Sequence, residues 1–317
     1  MRIIALEEHM LPRDIVAAAG IDLGARAGAR AGALDDLGEG RLRIMDEAGI
    51  DVQVLSVLGY FVQDLEPESS LRFSRELNDR MAGTVSRHPD RFRAFAALPM
   101  ADPTRAVGEL TRCVEELGFL GAMIHGQTRG VFLDHLSVRP ILREAARLDV
   151  PVYLHPAPPP SAVYDSYYSG LPPEVSACLS TSGWGWHSEC GLHVLRMVVA
   201  GVFEELPTLK LIVGHMGEGL PFHLDRIATM LDPVVTGHDL GVADTLRRNL
   251  HLTTSGYNSD APLLCALAAF GVDRVMFSVD HPFGNSATAT NYLRSAPLDS
   301  GDLHKIAHGN AESLLHI

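Results

Sequence analysis

The sequence has few of the features that mark secreted, redox-active or membrane-spanning proteins. Its four cysteines include no Cys-x-x-Cys pair, so neither a zinc ribbon nor a dithiol redox motif is indicated. No uninterrupted apolar run approaches the roughly 18 residues that a membrane-spanning helix needs. The first ten residues, MRIIALEEHM, are too acidic and have too short an apolar run for a signal peptide. We therefore expect a cytoplasmic protein with no membrane partner.

Basic residues and phosphate-binding glycine motifs are also scarce. Lysine and arginine number 26 against 39 aspartates and glutamates, which gives a net charge of −13 and disfavours binding to a nucleic-acid backbone. The chain contains no Gly-x-Gly-x-x-Gly sequence, so a nicotinamide or flavin cofactor is not indicated. Hydrophobic residues make up 46% of the chain, which is enough for a large core.

Short apolar runs alternate with amphipathic stretches along the whole chain. Stretches such as Ser70–Ser86 and Pro103–Leu117 have apolar residues at helical spacing, and eight apolar runs between such stretches have the length of strands. Eight strands that alternate with helices are typical of a (β/α)8 TIM barrel. We predict one α/β barrel domain over residues 1–317, with strands at Ile3–Leu6, Val52–Val57, Ala94–Leu98, Leu120–Ile124, Val152–Leu154, Leu211–Val213, His251–Thr254 and Val275–Ser278.

Two segments interrupt this alternation. Gly20–Gly40 is rich in alanine, arginine and glycine, which predicts a flexible loop with at most one short helix. Pro156–Trp186 is rich in proline and serine and carries five of the nine tyrosines and tryptophans. This composition predicts a long loop, and a long aromatic loop on the carboxyl-terminal face of a barrel predicts a lid, a subunit interface or both. Because exposed aromatics would form an unusually large apolar patch, we expect a homodimer or homotetramer.

Polar side chains follow several of the predicted strands. Glu7 and His9 come after the first strand, His155 ends the fifth, His215 follows the sixth, and Asp280 follows the eighth. Side chains alternate along a strand, so Glu7 and His9 should face the same side. Active sites of parallel barrels lie at the carboxyl-terminal ends of the strands. The pattern therefore predicts an enzyme with one site at this face.

Each of these residues also has a simpler interpretation when it is taken alone. Glu7 and His9 would serve as a hydrogen-bonded pair, His155 as a core histidine, and Asp280 as a helix cap. Their joint position at strands one, five and eight instead favours a shared ligand, because those strands surround one mouth. Two carboxylates and two imidazoles are ordinary ligands of a divalent cation. We predict a metal site formed by Glu7, His9, His155 and Asp280.

The His215-Met-Gly-Glu218 sequence predicts a general acid or base. Glu218 would orient the second ring nitrogen of His215, as carboxylates do in other His–carboxylate pairs. Glu218 would alternatively be a first-turn helix residue that interacts with the helix dipole. Arg226 would lie on the inner half of the following helix and hold a substrate oxygen, or would form an ordinary surface salt bridge.

Six segments together resemble the amidohydrolase-2 family. The resemblance runs in order through essentially the whole chain, and the Glu-x-His start is similar to the branch of non-oxidative aromatic-acid decarboxylases, which includes γ-resorcylate and 2,3-dihydroxybenzoate decarboxylases. The segments are ALEEH at 5–9, MDEAGID at 45–51, RFRAFAALP at 91–99, YLHP at 153–156, GHMGEGLP at 214–221 and FSVDHPF at 277–283.

This resemblance implies roles for individual residues. The family's metal ligands fall on Glu7, His9, His155 and Asp280, with Asp280 also catalytic. The catalytic histidine falls on His215, its carboxylate partner on Glu218, and the substrate-holding arginine on Arg226. The sequence departs from the decarboxylases after Asp280, where His281 replaces the usual tryptophan and Phe283-Gly284-Asn285 replaces Phe-Glu-Asn.

The charge of the predicted ligands is consistent with that branch. Glu7 and Asp280 would neutralise a divalent ion, so the ion should acidify water less and suit substrate chelation better. We expect one Zn2+ or Mn2+ ion, with Mg2+ as a further possibility, and a small hydroxylated aromatic acid as substrate of a carboxy-lyase. The alternatives are a hydrolase or hydratase of the same family, acting on a lactone, amide or alkene, and a non-catalytic metal-binding scaffold.

Overall fold

The protein is an α/β structure built on parallel strands. A computed structural model describes residues 1–317, except for the side chains of residues 25 and 26. Nine short strands are present in the part of the chain so described. They are β1 (Ile4–Met10), β2 (Val52–Val57), β3 (Phe92–Ala94), β4 (Ala96–Ala97), β5 (Ala122–His125), β6 (Val152–His155), β7 (Leu211–Val213), β8 (Leu250–Thr253) and β9 (Val275–Met276).

Helices connect the strands and cover their outer side. None of the described helices combines the length and the apolar character that crossing a membrane requires. The α-helices are α1 (Arg13–Ala19), α2 (Gly24–Gly28), α3 (Ala31–Asp35), α4 (Glu39–Ala48), α5 (Tyr60–Gln63), α6 (Pro67–Arg87), α7 (Pro103–Glu115), α8 (Arg139–Arg147), α9 (Ser161–Tyr167), α10 (Pro173–Ser180), α11 (Gly185–Val199), α12 (Val202–Glu205), α13 (Leu220–Met230), α14 (Pro233–Thr236), α15 (Val242–Asn249), α16 (Asp260–Phe270), α17 (Ser286–Ser295), α18 (Ser300–His304) and α19 (Asn310–Leu315).

The strands follow one another around the barrel in chain order. β1 to β3 form one parallel sheet and β4 to β9 form another. The division falls at Phe95, whose amide donates to the Leu55 carbonyl at 2.9 Å, while the next amide turns to the Gly121 carbonyl. β3 and β4 are therefore one interrupted strand. A parallel bridge between Glu8 and His281 brings β1 beside the segment that follows β9. The predicted (β/α)8 architecture is confirmed.

The barrel interior has an apolar layer below a polar layer. Inward side chains such as Ile4, Phe95 and Ile212 form a buried cluster with Leu314 and Leu315 of α19, which closes the amino-terminal end. The next inward position after the apolar one is polar on several strands. Tyr153 is followed by His155 on β6, and Met123 is followed by His125 on β5. Strand alternation therefore collects polar groups at the carboxyl-terminal end of the interior.

The two irregular segments differ from their prediction. Gly20–Gly40 was predicted as a loop with at most one short helix, but it holds α2 and α3 and the start of α4. Pro156–Trp186 was predicted as a long loop, but it contains α9, α10 and the start of α11. Prolines lie at or beside the starts of α9 and α10, where a fixed φ suits the first turn and no amide donor is lost.

Candidate active site

A β-bulge places the first two site residues. The pairing register between β1 and β2 shifts between Ala5 and Glu8. Such a bulge changes the face of the sheet toward which the following side chains point. As a result, Leu6 packs inside the apolar layer while Glu7 and His9 also face the interior above it. Glu7 and His9 lie on β1 itself, which continues to Met10, rather than beyond its end as the sequence predicted.

The carboxylate of Glu7 is held at one oxygen and open at the other. Its Oε2 accepts hydrogen bonds from the hydroxyls of Tyr153 and Ser255. A Cβ on Gly214 would lie 2.6 Å from Oε2, so the first glycine of the Gly-His-Met-Gly-Glu sequence leaves room for this carboxylate. Oε1 is buried and has no hydrogen-bond partner. A buried carboxylate oxygen of this kind requires a positive partner.

Each of the two histidines directs its Nε2 into the same space. His155 Nδ1 lies 2.7 Å from the carbonyl of Pro156, which can only accept, so Nδ1 carries a proton and Nε2 is the nitrogen that can bind a cation. His9 Nδ1 bonds the Ser56 hydroxyl at 3.0 Å, and its buried Nε2 has no hydrogen-bond partner. Outer hydrogen bonds of the second ring nitrogen are typical of metal-bound histidines.

The spacing of the four groups fits a shared cation. His155 Nε2 lies 3.1 Å from Glu7 Oε1, and His9 Nε2 lies 3.7 Å from the same oxygen and 3.3 Å from Asp280 Oδ1. Ligands at about 2.0–2.2 Å from one ion in tetrahedral geometry are roughly 3.3 Å apart. All four donor atoms lie within 4.8 Å of one another. The structure thus brings the four predicted metal ligands together in an arrangement that fits one divalent ion.

The electrostatics of this cluster favour positive charge at its centre. Burial alone would raise the pKa of Glu7, but the nearby His215, His155 and His9 hold it well below its usual range. Burial would likewise lower the pKa of His9, but Asp280 and Glu7 raise it to about 9. The pKa of Asp280 is lowered against burial by His215 and His9. Two ionised carboxylates inside the protein are stabilised only by cationic neighbours.

A left-handed turn after β7 presents the predicted acid–base pair. Residues 215, 216 and 218 all have φ values between 49° and 55°, which is unusual outside glycine and is often associated with functional sites. His215 Nδ1 lies 2.7 Å from Glu218 Oε1, while His215 Nε2 lies 3.8 Å from both Asp280 Oδ2 and Glu7 Oε1. Glu218 precedes α13 instead of lying in its first turn, so the helix-dipole interpretation does not hold.

A third group, His187 on α11, joins this pair. Its Nδ1 is hydrogen-bonded to Glu218 Oε2, so Glu218 lies between two histidines. These three residues could also be considered as a metal site. Their donor atoms, however, are already in direct hydrogen bonds, which are shorter than the roughly 3.3 Å spacing of ligands around one tetrahedral ion. The geometry is that of a hydrogen-bonded triad.

A cavity of about 660 Å³ opens above both groups. His155, His215 and Asp280 lie at its floor, and the aromatic side chains of Tyr60, Trp186, Tyr257 and Phe283 line its walls together with small and apolar residues. No lysine or arginine is present among the described side chains that line it. The cavity therefore suits a flat, largely apolar ligand whose negative group is bound at the floor.

The prediction that Arg226 holds a substrate oxygen is not supported within this chain. Arg226 is exposed on α13 and is not among the residues that line the cavity. Leu220, Pro221 and Leu224 form the buried side of this helix. Arg226 lies two residues after Leu224, on the opposite side of the helix, because residues share a face only at spacings of three or four.

Several residues of the site were not predicted from the sequence. Tyr153 lies two residues before His155 on the same face of β6, and Ser255 follows the end of β8. Strand alternation was therefore a signal in the sequence for Tyr153, and the position after a strand end was a signal for Ser255. His125 ends β5 as His155 ends β6, so the same signal was present for it; it is buried, and its ring centre lies 4.5 Å from that of His155. His187 gave no such signal, because it lies on α11, just after the segment Pro156–Trp186, and follows no strand.

A parallel barrel with a carboxylate–imidazole cluster at its carboxyl-terminal mouth defines a class of metal-dependent barrel enzymes. A profile of the amidohydrolase family matches residues 21–317. The chain belongs to this family, as the resemblance of its motifs indicated.

Several known proteins that are similar over the full length are decarboxylases. The chain is 37% identical to the decarboxylase orsB of Emericella nidulans, over 99% of this chain and 97% of that protein. It is 35% identical to the gamma-resorcylate decarboxylase of Rhizobium sp., over 99% and 98% of the two chains. A crystal structure of the dihydroxybenzoic acid decarboxylase of Polaromonas sp., with bound manganese and the inhibitor 2-nitroresorcinol, matches with a TM-score of 0.90, 35% identity and coverage of 99% and 97%.

Proposed function

We propose that this protein is a metal-dependent carboxy-lyase that removes the carboxyl group of a hydroxylated aromatic acid without an oxidant. The observation that carries this proposal is a pair of buried atoms without hydrogen-bond partners, Glu7 Oε1 and His9 Nε2. Both lie at the floor of a cavity with aromatic walls. Full-length similarity to aromatic-acid decarboxylases supports the reaction class.

Glu7, His9, His155 and Asp280 are the proposed metal ligands. Manganese is the preferred ion, because the similar Polaromonas structure holds manganese and two carboxylates shift preference toward harder cations. Zinc and magnesium are compatible with the same donor types. When bound, the ion would hold the carboxylate and the adjacent phenolic oxygen of the substrate and neutralise their charge.

Asp280, or a water that it controls, is the proposed proton donor to the ring. Because His215 and His9 hold the pKa of Asp280 low, the carboxylate must first take up a proton, for which the neighbouring His215 is the source. The Asp280 carboxylate faces the cavity, is 17% exposed, and lies within reach of both His9 and His215. A proton delivered to the ring carbon that bears the carboxylate interrupts aromaticity. The bond to the carboxyl carbon then breaks, its electron pair returns to the ring, and CO2 leaves. The ring regains aromaticity, so no electron acceptor is needed.

His215 and Glu218 are proposed to manage the phenolic proton. Burial alone would lower the pKa of His215, but Glu218, Glu7 and Asp280 hold it well above its usual value. A protonated His215 beside the site can stabilise a phenolate and return a proton to it. Glu218 keeps its pKa low against burial through His215 and His187, so it remains an acceptor for His215 Nδ1.

We also propose that the protein is a homodimer or homotetramer. Large apolar side chains are exposed on α9 to α11 and on α13 and α14, among them Tyr167 (75% exposed), Trp184 (59%), Phe222 (79%) and Val234 (91%). Monomers rarely expose such apolar areas without a partner. Burial against a second copy of the chain would remove them from water. A cytoplasmic location is part of the same proposal, and the four free cysteines are consistent with it.

The experiment that tests this function is an assay of the metal-reconstituted protein with a panel of hydroxybenzoates. We expect loss of CO2 from at least one acid that carries a hydroxyl ortho to the carboxyl group, and no loss after chelation. Mass spectrometry separates this reaction from the hydrolase or hydratase alternative, in which the product gains water. A protein that hydrates or hydrolyses its substrates and releases no CO2 would contradict the proposal.

A further inference from the structure

One hydrogen-bond partner of the Glu218 carboxylate, His187, lies outside the turn that contains Glu218. Glu218 has a completely buried side chain, and its two oxygens are bonded to His215 Nδ1 and His187 Nδ1. Both of these partners are histidines from different elements. Removing one partner of a buried carboxylate leaves an oxygen without compensation, which is costly.

α11 packs closely against the turn that contains Glu218. His187 and Gly191 are four residues apart and therefore lie on one face of α11. A Cβ on Gly191 would lie 3.0 Å from the carbonyl oxygen of Glu218, so the absence of a side chain there lets the helix approach. This close approach brings His187 to the Glu218 carboxylate. The contact is thus built by the packing of two elements.

The beginning of α11 is also tightly fixed. A Cβ on Gly185 would lie 2.1 Å from the Ser180 carbonyl oxygen at the end of α10, so only glycine fits there. His187 Nε2 lies 3.2 Å from the Ser182 carbonyl. Each ring nitrogen of His187 therefore faces an oxygen acceptor, which fixes the orientation of the ring beside Glu218. The ring is only partly buried and lines the cavity.

We propose that His187 is a positioning residue for the His215–Glu218 pair. By donating to Glu218 Oε2, it fixes the carboxylate so that Oε1 accepts from His215 Nδ1. This in turn holds His215 Nε2 toward the cavity floor. Because the segment from α9 to α10 leads directly into the turn before His187, the position of that segment is coupled to the acid–base pair. This inference rests on the proposed function only in the choice of the reaction whose kcat is measured.

His187→Leu removes the donor, and His187→Asn is the conservative variant, because an asparagine amide places a donor near the position of Nδ1. We expect His187→Leu to lower kcat by roughly 10–100-fold, the usual effect of losing a residue that orients a functional histidine, with a smaller change in KM. We expect His187→Asn to recover most of kcat. His304→Leu, an exposed histidine of α18, is the matched control and should behave as the wild type.

Recovery by the conservative variant separates positioning from a merely structural role. His187→Asn keeps a donor for Glu218 Oε2 but loses the ring, so a positioning role predicts that kcat recovers while KM stays close to that of the wild type. An unchanged kcat in His187→Leu would overturn the proposal, as would equal losses in the Leu and Asn variants.

A crystal structure of His187→Leu gives a readout that does not depend on the reaction. We expect the Glu218 carboxylate to rotate away from His215 Nδ1 in the Leu variant and to stay in place in the Asn variant. A Glu218 that keeps its position in the Leu variant would contradict the inference even if activity were lost. If the wild type released no CO2 from any acid, the proposed function would fail, yet this comparison would still decide the role of His187.

Discussion

At the residue scale, two neighbouring glutamates have opposite surroundings. Glu7 faces the interior and has a lowered pKa, whereas Glu8 faces the other way, accepting from the Gln53 side chain and the Val279 amide at 3.0 Å each. Burial raises the pKa of Glu8 to about 8, against the opposing effects of the Val279 amide and Arg41. Glu7 therefore faces the predicted cation site, whereas its neighbour Glu8 is a neutral acid that stabilises the fold.

Glu7→Gln and Glu8→Gln form a matched pair that tests this difference. Glu7→Gln should lose most metal binding, because it removes a charge from the cluster. Glu8→Gln should retain the metal, because the side chain is neutral below pH 8 in both proteins. Metal content by atomic absorption after equilibration with manganese is the measurement, and equal losses in the two variants would contradict the assignment.

The raised pKa of Glu8 also predicts a pH dependence of stability. Folding favours the protonated acid, so its contribution is complete below the ordinary pKa of 4.5 and is lost as the pH rises to about 8. The difference in unfolding free energy between Glu8→Gln and the wild type should grow in favour of the variant across this window, by up to about 1.4 kcal/mol per pH unit. Urea unfolding of both proteins from pH 5 to pH 8 is the measurement, and a constant difference would argue against a neutral Glu8.

Asp280→Asn should leave the barrel folded but abolish turnover and weaken metal binding. The Asp280 carboxylate lies 3.3 Å from His9 Nε2 and faces the cavity, and an amide supplies neither the charge nor the transferable proton. Circular dichroism checks the fold, and metal analysis with an assay checks the rest. Full activity with wild-type metal content would rule out both roles of Asp280.

His215→Asn and His155→Asn should differ in what they lose. His215 is bonded to Glu218 and lies beside the cluster, so its loss should lower the rate by roughly 10²–10⁴-fold, as is typical for proton transfer, with the metal retained. His155 directs its Nε2 to the cluster, 3.1 Å from Glu7 Oε1, so its loss should lower metal occupancy. If the His215→Asn protein contained no metal and the His155→Asn protein retained its metal, the roles of metal ligand and acid–base residue would have to be exchanged.

At the element scale, the strands could be predicted more fully than the helices that cover the mouth. The predicted bounds of Val52–Val57 and Leu211–Val213 match the structure, because continuous apolar runs between turns are a strong strand signal. The bulge in β1 could not be predicted, since it depends on pairing with β2. α9 and α10 were missed because their sequences lack a continuous apolar face. His187, at the start of α11 just after them, was also missed.

The segment that contains α9 and α10 should be protected by ligand. Its inner side, which includes Glu174, Ala177 and Cys178, lines the cavity, while Tyr167 and Val175 are exposed. An occupied cavity adds contacts to the inner side and lowers the population of opened states. We expect proteolysis between Tyr164 and Trp184 to slow when metal and 2-nitroresorcinol are added, as followed by mass spectrometry of the fragments. Rapid cleavage at an unchanged rate would show that the segment does not cover the site.

At the scale of the whole molecule, the barrel separates stability from chemistry. The apolar layer and α19 fill the amino-terminal half of the interior, and the polar layer above them carries the ligands and the acid–base pair. In the proposed function, the floor binds negative oxygens through a cation, the walls accept an aromatic ring, and a proton donor lies between them. This arrangement would exchange a carboxyl group for a proton on an aromatic ring.

The most direct test is to run the reaction of the manganese-loaded protein in D2O with a hydroxybenzoate labelled with 13C at the carboxyl carbon. We expect release of 13CO2 and a phenol with deuterium at the carbon that lost the carboxyl group, and neither product with Asp280→Asn. Products that keep the labelled carboxyl group, or a phenol without deuterium at that carbon, would contradict the proposed function.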